Sequence, residues 1–175
     1  IMSLSLQQFT TESRNQASAN IDTVSTLDML TIINNEDKKV ALAVQEILPN
    51  IAQAVDAIQQ AFTKGGRLLY CGAGTSGRLG ILDASECPPT FGSAAEQVIG
   101  LIAGGKPAIL KAVENAEDNT QAGQQDLQNI QLTNKDIIVG IAASGRTPYV
   151  IGAMQYAKAQ GCTVISLCCN NESEM

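Results

Sequence analysis

Two short segments of the sequence combine glycines, hydroxyl side chains and an arginine between an apolar run and a helix-like stretch. The first is Gly72-Ala73-Gly74-Thr75-Ser76-Gly77-Arg78, which directly follows the apolar run 67–71. Free amides at a helix N-terminus, the partial positive charge of the helix and hydroxyl donors suit a phosphate group. The alternative is an ordinary turn in which Ser76 caps the helix, and this segment alone does not decide between them.

The glycine spacing of the first segment also matches the dinucleotide-binding fingerprint G-x-G-x-x-G. A dinucleotide site requires in addition an acidic residue at the end of the next strand, where it binds the ribose. That strand ends instead in Leu101-Ile102-Ala103-Gly104-Gly105. The sequence therefore favours a single phosphate group over a dinucleotide.

The second segment, Ala143-Ser144-Gly145-Arg146-Thr147, repeats the arrangement after another apolar run, with Pro148 in the first turn of the following helix. Ligands of open parallel sheets bind outside the carboxyl ends of the strands, where two such loops can converge. The pair of loops favours a phosphosugar pocket over two capped helices. Gly74, Thr75, Ser76, Ser144, Gly145 and Thr147 are its predicted binding residues.

The sequence contains no histidine, which removes the commonest general base and the commonest metal ligand. Acid–base chemistry must then fall to carboxylates, Lys, Tyr or Cys. Glu86 lies near the end of the first-loop helix, and Glu114-Asn115-Ala116-Glu117-Asp118 concentrates three acids beyond a later helix. On pattern alone, Glu86 is a solvated surface glutamate and the acidic run is a solvated turn.

Composition excludes several classes of function. The net charge is −6, the eleven basic residues form no cluster, and the chain has three Tyr, three Phe and no Trp, so nucleic acid is not an expected partner. No apolar run approaches the length of a membrane-spanning helix, and residues 1–20 do not resemble a signal peptide. The five cysteines lie mostly in apolar segments, which indicates buried free thiols in a cytoplasmic protein.

Hydrophobic periodicity predicts helices from Ser25 to Phe62 and then apolar strands that alternate with helices. Such strands form a parallel sheet covered on both faces, so the predicted fold class is α/β. Pro88-Pro89 predicts the end of the first-loop helix. We expect residues 1–63 to form an arm and helices that pack on a domain at 64–175, whose sheet is incomplete after the fourth strand.

Longer segments resemble the N-acetylmuramic acid 6-phosphate etherase family. The resemblance covers nearly the whole chain and rests on these segments: Thr11–Asn15, Ser25–Leu27, Ile33–Asp37, Cys71–Gly92, Glu114–Asp118 and Gly140–Val150. It implies a sugar isomerase (SIS) type fold, a three-layer αβα sandwich whose parallel sheet has the flavodoxin-like strand order.

The resemblance implies a carbon–oxygen lyase of amino-sugar recycling that removes D-lactate from C3 of N-acetylmuramic acid 6-phosphate. It assigns proton donation to the departing lactate to Glu86, and a second catalytic role, the base at C2, to Glu117. It implies no cofactor or metal, and it implies a homodimer. A non-catalytic phosphosugar sensor and a sugar-phosphate isomerase on the same fold remain as alternatives.

Overall fold

The computed structural model describes residues 10–170 and 173–175. Two short 3-10 turns, Thr10–Glu12 and Gln16–Ser18, precede α1 (Thr26–Glu46), α2 (Leu48–Thr63), β1 (Leu68–Gly72), α3 (Gly74–Phe91), β2 (Val98–Ile102), α4 (Pro107–Leu110), α5 (Thr120–Asn129), β3 (Ile137–Ile141), α6 (Pro148–Ala159) and β4 (Thr163–Leu167). The alternation of strands and helices confirms the predicted α/β class. None of these helices is both long and apolar enough to cross a membrane.

The chain divides into two compact units, one up to Val55 and one from Asp56 onward. The division falls inside α2, before the boundary predicted at residue 63. Packing of the residues before Asp56 on the sheet domain stays a prediction.

Within the first unit, Asn15 connects the segment before α1 to α1 by a hydrogen bond. Its Oδ1 accepts a hydrogen bond from the amide of Ala17 at 2.8 Å, and its Nδ2 donates to Glu36 Oε2 on α1 at 2.9 Å. Ser25 Oγ caps α1 by accepting from the amide of Asp28. Asn15 therefore has a structural role in joining the arm to α1.

The four strands form one parallel sheet in the order β2-β1-β3-β4, the flavodoxin-like order. Gly72 at the end of β1 lies opposite Ile102 of β2 and Ile141 of β3. The chain leaves β1 towards β2 on one side and returns to β3 on the other. The gap between β1 and β3 is therefore the topological switch point, where open α/β sheets bind ligands.

Successive residues of the central strands point to opposite faces, as the two-residue strand period requires. On one face Leu69, Cys71 and Ile138 pack against α5 and α6, and on the other Leu68, Ile137 and Val139 pack with α2 and α3. The sheet is thus the middle of three layers.

The prediction that Pro88-Pro89 ends the first-loop helix is wrong, because α3 continues through both prolines to Phe91. The two prolines lack N–H groups, but they lie in the last turns of an exposed helix end, where solvent can satisfy the two carbonyls that lose their donors. Gly92 then ends the helix with φ of +66° and donates its amide to Pro88 O at 2.9 Å. A pair of prolines in the last turns of a helix therefore does not fix the residue at which the helix ends.

A buried ion pair joins the starts of the two central strands. Arg67 Nη2 lies 2.7 Å from Asp136 Oδ2, and Nε and the main-chain amide of Arg67 both donate to Asp136 Oδ1. Thr133 donates its amide and its hydroxyl to Asp136 Oδ2. The Asp136 carboxylate is 1% exposed, so its charge is stabilised by this network rather than by water.

Helices α5 and α6 pack closely because each presents a glycine to the other. A Cβ on Gly123 would lie 2.1 Å from Tyr149 O, and one on Gly152 would lie 2.1 Å from Thr120 O. Backbone on both sides leaves no room for a side chain. These two glycines fix the start of α5 against the first turns of α6.

We predict that Arg67→Met lowers the free energy of unfolding by about 3 kcal/mol, because it leaves a buried carboxylate without its ion-pair partner. Chemical denaturation of the variant and the wild type measures the difference. Lys135→Gln removes a neighbouring exposed charge that forms no ion pair among the described residues, and it is the control. Equal losses in the two variants would contradict a special role for the pair.

Acid should weaken the same contact. Burial raises the pKa of Asp136, but the hydrogen bonds and charge of Arg67 and the Thr133 amide outweigh burial and hold that pKa below its ordinary value. This stabilisation is complete above the unfolded-state value of about 3.9 and is lost as the pH falls through the lower native pKa. Denaturation curves below about pH 4 should therefore show a smaller acid loss for Asp136→Asn than for the wild type; identical losses would contradict this.

Gly123→Ala should lower the free energy of unfolding by about 2 kcal/mol or more, because the added methyl group forces α5 away from α6. Gln124→Ala, at the exposed next position of α5, is the control and should change stability little. Thermal unfolding of both variants compares them. A stable Gly123→Ala protein would show that the α5–α6 contact can widen without cost.

Candidate phosphosugar site

Both predicted phosphate loops start at the switch point. Gly72 of β1 and Ile141 of β3 are paired neighbours, so the loops that follow them leave adjacent strands at the same edge of the sheet. Adjacent strands lie about 5 Å apart. The topology therefore brings together two loops that are separated by some seventy residues in the sequence.

Close backbone packing leaves no room for side chains at two glycines of the first loop. A Cβ on Gly72 would lie 2.6 Å from the amide nitrogen of Gly77, and a Cβ on Gly77 would lie 2.6 Å from Ile102 Cγ1. Gly74 has φ of +53°, a left-handed conformation that favours glycine. The glycines thus let the first turn of α3 press against the end of β1.

The hydroxyls of the first loop do not cap the helix. The N-cap is Ala73, which has no capping side chain, so the interpretation of Ser76 as the N-cap is wrong. Ser76 lies inside the first turn, and neither its hydroxyl nor that of Thr75 makes a hydrogen bond to the described residues. Gly77 donates the first amide of the helix, to Ala73 O, which leaves the preceding amides open at the site.

The second loop turns at Gly145, whose φ is +69° and whose amide donates to Ala142 O at 2.9 Å. Ser144 Oγ accepts from the amide of Arg146, and Thr147 is the N-cap of α6 without a side-chain capping bond. The segment after β4 covers part of this loop. Asn170 Nδ2 donates to Ser144 O, and the amide of Met175 donates to Gly145 O.

A cavity of about 260 Å³ lies beside the first loop. It is bounded by the first loop, the end of β2, α4 and the acidic segment, and its polar lining residues are Thr75, Arg78, Lys111, Glu114, Asn115 and Glu117. The structure therefore brings predicted binding residues Gly74 and Thr75 together with predicted catalytic residue Glu117. Ser76, Glu86 and the second-loop residues Ser144, Gly145 and Thr147 do not line it.

The main chain holds Glu117 between the two loops. Glu117 O accepts the amide of Tyr149 at 2.9 Å, which satisfies a donor in the first turn of α6. Asn119 then caps α5 through Oδ1, which accepts the amide of Ala122 at 3.0 Å. Asn115, with φ of +60°, bends the chain two residues before Glu117, in a conformation that asparagine tolerates. The acidic run is therefore a turn whose main chain is anchored, while its side chains are exposed to solvent as the sequence pattern predicted.

Arg78 faces the cavity from the second turn of α3. Its Nε donates to Ile109 O on α4 at 2.9 Å, and its Nη groups make no hydrogen bond to the described residues. The only ion pairs within that part of the chain are Lys39–Glu36 and Arg67–Asp136, so this half-buried guanidinium forms no ion pair, although Glu114 and Glu117 line the same cavity. Arg78 is thus oriented towards the cavity without an ion-pair partner among the described residues.

Glu86 occupies a different place. Its side chain is exposed on α3, and it lies about 18 Å along the helix axis from Gly74 at 1.5 Å per residue. Leu79 and Leu82, 56% and 57% exposed, precede it at helical spacing on the same side. Within one chain, Glu86 and Glu117 do not share a cavity.

Two other side chains that could transfer protons, those of Cys71 and Tyr149, are buried together in the core at the end of β1. Burial, and then the charge of Asp126, raises the pKa of the Cys71 thiol to about 12. Burial also raises the pKa of Tyr149, whose hydroxyl donates to Asp126 Oδ2 at 2.7 Å. Neither group ionises near neutral pH, so neither acts as an acid or base there, and the acid–base candidates that line the cavity are Lys111, Glu114 and Glu117.

Sequence reasoning missed the contributions of Lys111 and Glu114 to the cavity. Glu114 belongs to the acidic run, so a signal for it existed, but it was indistinguishable from a solvated turn. Nothing in the spacing around Lys111 singled it out, and the structure places it in the loop that follows α4, which ends at Leu110.

Comparison with curated proteins gives relatives of high identity. The chain is 67% identical over 174 residues to proteins named N-acetylmuramic acid 6-phosphate etherase in Edwardsiella ictaluri and Photorhabdus laumondii, and 68% identical to one in Psychromonas ingrahamii. Each match covers 99% of this chain and 58% of the relative. The chain therefore spans somewhat more than half the length of these relatives.

Solved structures show the same fold. A phosphoheptose isomerase from Neisseria gonorrhoeae matches with a TM-score of 0.66 and 20% identity over 82% of this chain and 75% of its own. One from Francisella tularensis matches with a TM-score of 0.62 and 23% identity, over 83% of this chain and 75% of its own. These identities are low, so the likeness concerns the fold alone.

A family model described as the glucokinase regulatory protein N-terminal SIS domain matches residues 50–158, more than half of the chain. This range contains β1 to α5, β3 and most of α6, and hence both loops and the cavity. The chain belongs to this family of SIS domains.

Proposed function

We propose that the protein is a cytoplasmic lyase that cleaves the D-lactyl ether of N-acetylmuramic acid 6-phosphate, giving N-acetylglucosamine 6-phosphate and D-lactate. The observation that carries the proposal is the 67% identity over 99% of the chain to relatives with that name. The cavity that joins the first loop to Glu117 supports it.

The chemistry of the substrate explains which groups the site needs. In the open-chain sugar, the hydrogen on C2 is α to the aldehyde and the ether oxygen on C3 is β to it. A base can therefore remove the C2 proton while an acid protonates the ether oxygen and lactate leaves. Water then adds at C3 and a proton returns to C2. Two carboxylates that differ in protonation suffice, and the sequence needs no histidine.

The phosphate is assigned to the loops at the switch point. Open amides at the start of α3, the hydroxyls of Thr75 and Ser76 and the positive end of the helix offer donors to an anion. The second loop, with Ser144, Gly145 and Thr147, follows the neighbouring strand β3 and leads into α6. Binding the phosphate at this edge leaves the sugar to extend towards the cavity.

Glu117 is assigned the role of base at C2 because it lines the cavity and because its carbonyl oxygen is held by the amide of Tyr149. Glu86 is assigned the role of acid. Since Glu86 lies about 18 Å from the loop of its own chain, a second copy is its proposed site of action. The exposed Leu79 and Leu82 beside it suit contact with that copy in a homodimer.

A phosphosugar sensor without catalytic activity is the second candidate. The family model that matches the chain describes a domain of a regulatory protein, which favours a binding role. A sensor would need the loops and the cavity but not the two glutamates.

Lactate release separates these functions. With N-acetylmuramic acid 6-phosphate, the purified protein should release D-lactate, and Glu86→Gln and Glu117→Gln should each lower kcat by at least about 100-fold because an essential proton transfer is lost. Glu96→Gln, at an exposed position outside the cavity, is the matched control and should retain activity. Saturable binding of the sugar phosphate without any lactate from the wild type would establish the sensor instead.

Mixed dimers test where Glu86 acts. If each site combines Glu117 of one copy with Glu86 of the other, co-expressed Glu86→Gln and Glu117→Gln chains should recover about a quarter of wild-type activity, since half of the dimers carry one intact site. If both glutamates act within one chain, no dimer in the mixture has an intact site. An inactive mixture would therefore contradict the shared site.

A further inference from the structure

The guanidinium of Arg78 is placed to receive an anion. It is half-buried, its orientation is fixed by the 2.9 Å bond from Nε to Ile109 O, and no carboxylate among the described residues pairs with it. A half-buried guanidinium that forms no ion pair is partly desolvated, and a bound anion would stabilise its charge. Its two Nη groups form the fork that binds planar oxyanions through paired hydrogen bonds.

The proposed substrate carries two anions, and they lie at different ends of the molecule. The phosphate is attached at C6, whereas the lactyl carboxylate is attached through the ether oxygen at C3, next to C2. The group that binds the lactyl carboxylate must therefore lie beside the base at C2. Arg78 and the proposed base, Glu117, line the same cavity.

The phosphate has another set of donors. The amides and hydroxyls at the starts of α3 and α6 offer a phosphate site that does not require an arginine. Arg78 lies farther along α3, and its side chain reaches α4. Its position suits a ligand group deeper in the cavity than one held at the helix N-terminus.

We propose that Arg78 binds the carboxylate of the D-lactyl group and so distinguishes N-acetylmuramic acid 6-phosphate from sugar phosphates that lack lactate. The proposal rests on the proposed function. It assigns a specificity-determining role to a residue of the first segment that was not among the predicted binding residues. Lys111, which also lines the cavity, adds positive charge but no planar fork.

The test compares two ligands that differ only in the lactyl group. Arg78→Lys keeps the charge and removes the fork, so it should raise the KM for N-acetylmuramic acid 6-phosphate by about tenfold or more. The inhibition constant of N-acetylglucosamine 6-phosphate should stay unchanged. Lys106→Gln, at an exposed position outside the cavity, should leave both constants unchanged.

The second ligand also reports whether the variant is folded. An equal rise in both constants would overturn the proposal, because it would place Arg78 at the phosphate or in the support of α4. No change in either constant would overturn it as well. If the wild type releases no lactate, the proposed function fails separately. Calorimetry of the two ligands would then still show whether Arg78→Lys removes a preference for the lactyl compound.

Discussion

The close approach of the end of β1 to the first turn of α3 is the constraint on which the site depends. Gly72 and Gly77 are in contact through their backbones, and a Cβ on either would lie within 3 Å of the other. This contact turns α3 so that its open amides face the edge of the sheet at the switch point. The helix then carries Thr75 and Arg78 to the cavity and takes Glu86 away from it.

Much of the fold follows from local pattern. Four apolar runs that alternate with helices predicted a parallel sheet, and the structure confirms it. The start of α3 at Gly74 and its passage through Pro88-Pro89 were not predictable in this way. Both depend on backbone packing and solvent at the helix ends, which residue propensities do not encode.

The site was predictable in part. Glycines, hydroxyls and strand ends indicated the two loops, because those features are close together in the sequence. The position of Glu117 was not, because it depends on an amide more than thirty residues away, that of Tyr149, and on the glycine contacts between α5 and α6. Local pattern described Glu117 as part of a solvated turn, and its side chain is exposed; what the pattern did not predict is the anchoring of its main chain.

The proposed chemistry agrees with the side chains that the structure excludes as acids and bases. Cys71 and Tyr149 are held protonated in the core and the chain has no histidine, so the acid–base candidates left in the cavity are Lys111, Glu114 and Glu117. The proposal assigns proton transfer to carboxylates. An arginine that forms no ion pair among the described residues and an anchored glutamate in one cavity suit a substrate whose reacting carbon lies beside a carboxylate. Neither feature is required by a protein that recognises the phosphate alone.

Isotope labelling tests the central claim most directly, since elimination followed by hydration fixes which carbon–oxygen bond breaks. With N-acetylmuramic acid 6-phosphate in water enriched in oxygen-18, mass spectrometry should find the label at C3 of N-acetylglucosamine 6-phosphate and none in the ether-derived hydroxyl of lactate. In heavy water, C2 of the product should carry deuterium. Label in the lactate hydroxyl, or a C2 that keeps its original hydrogen, would contradict elimination at this site.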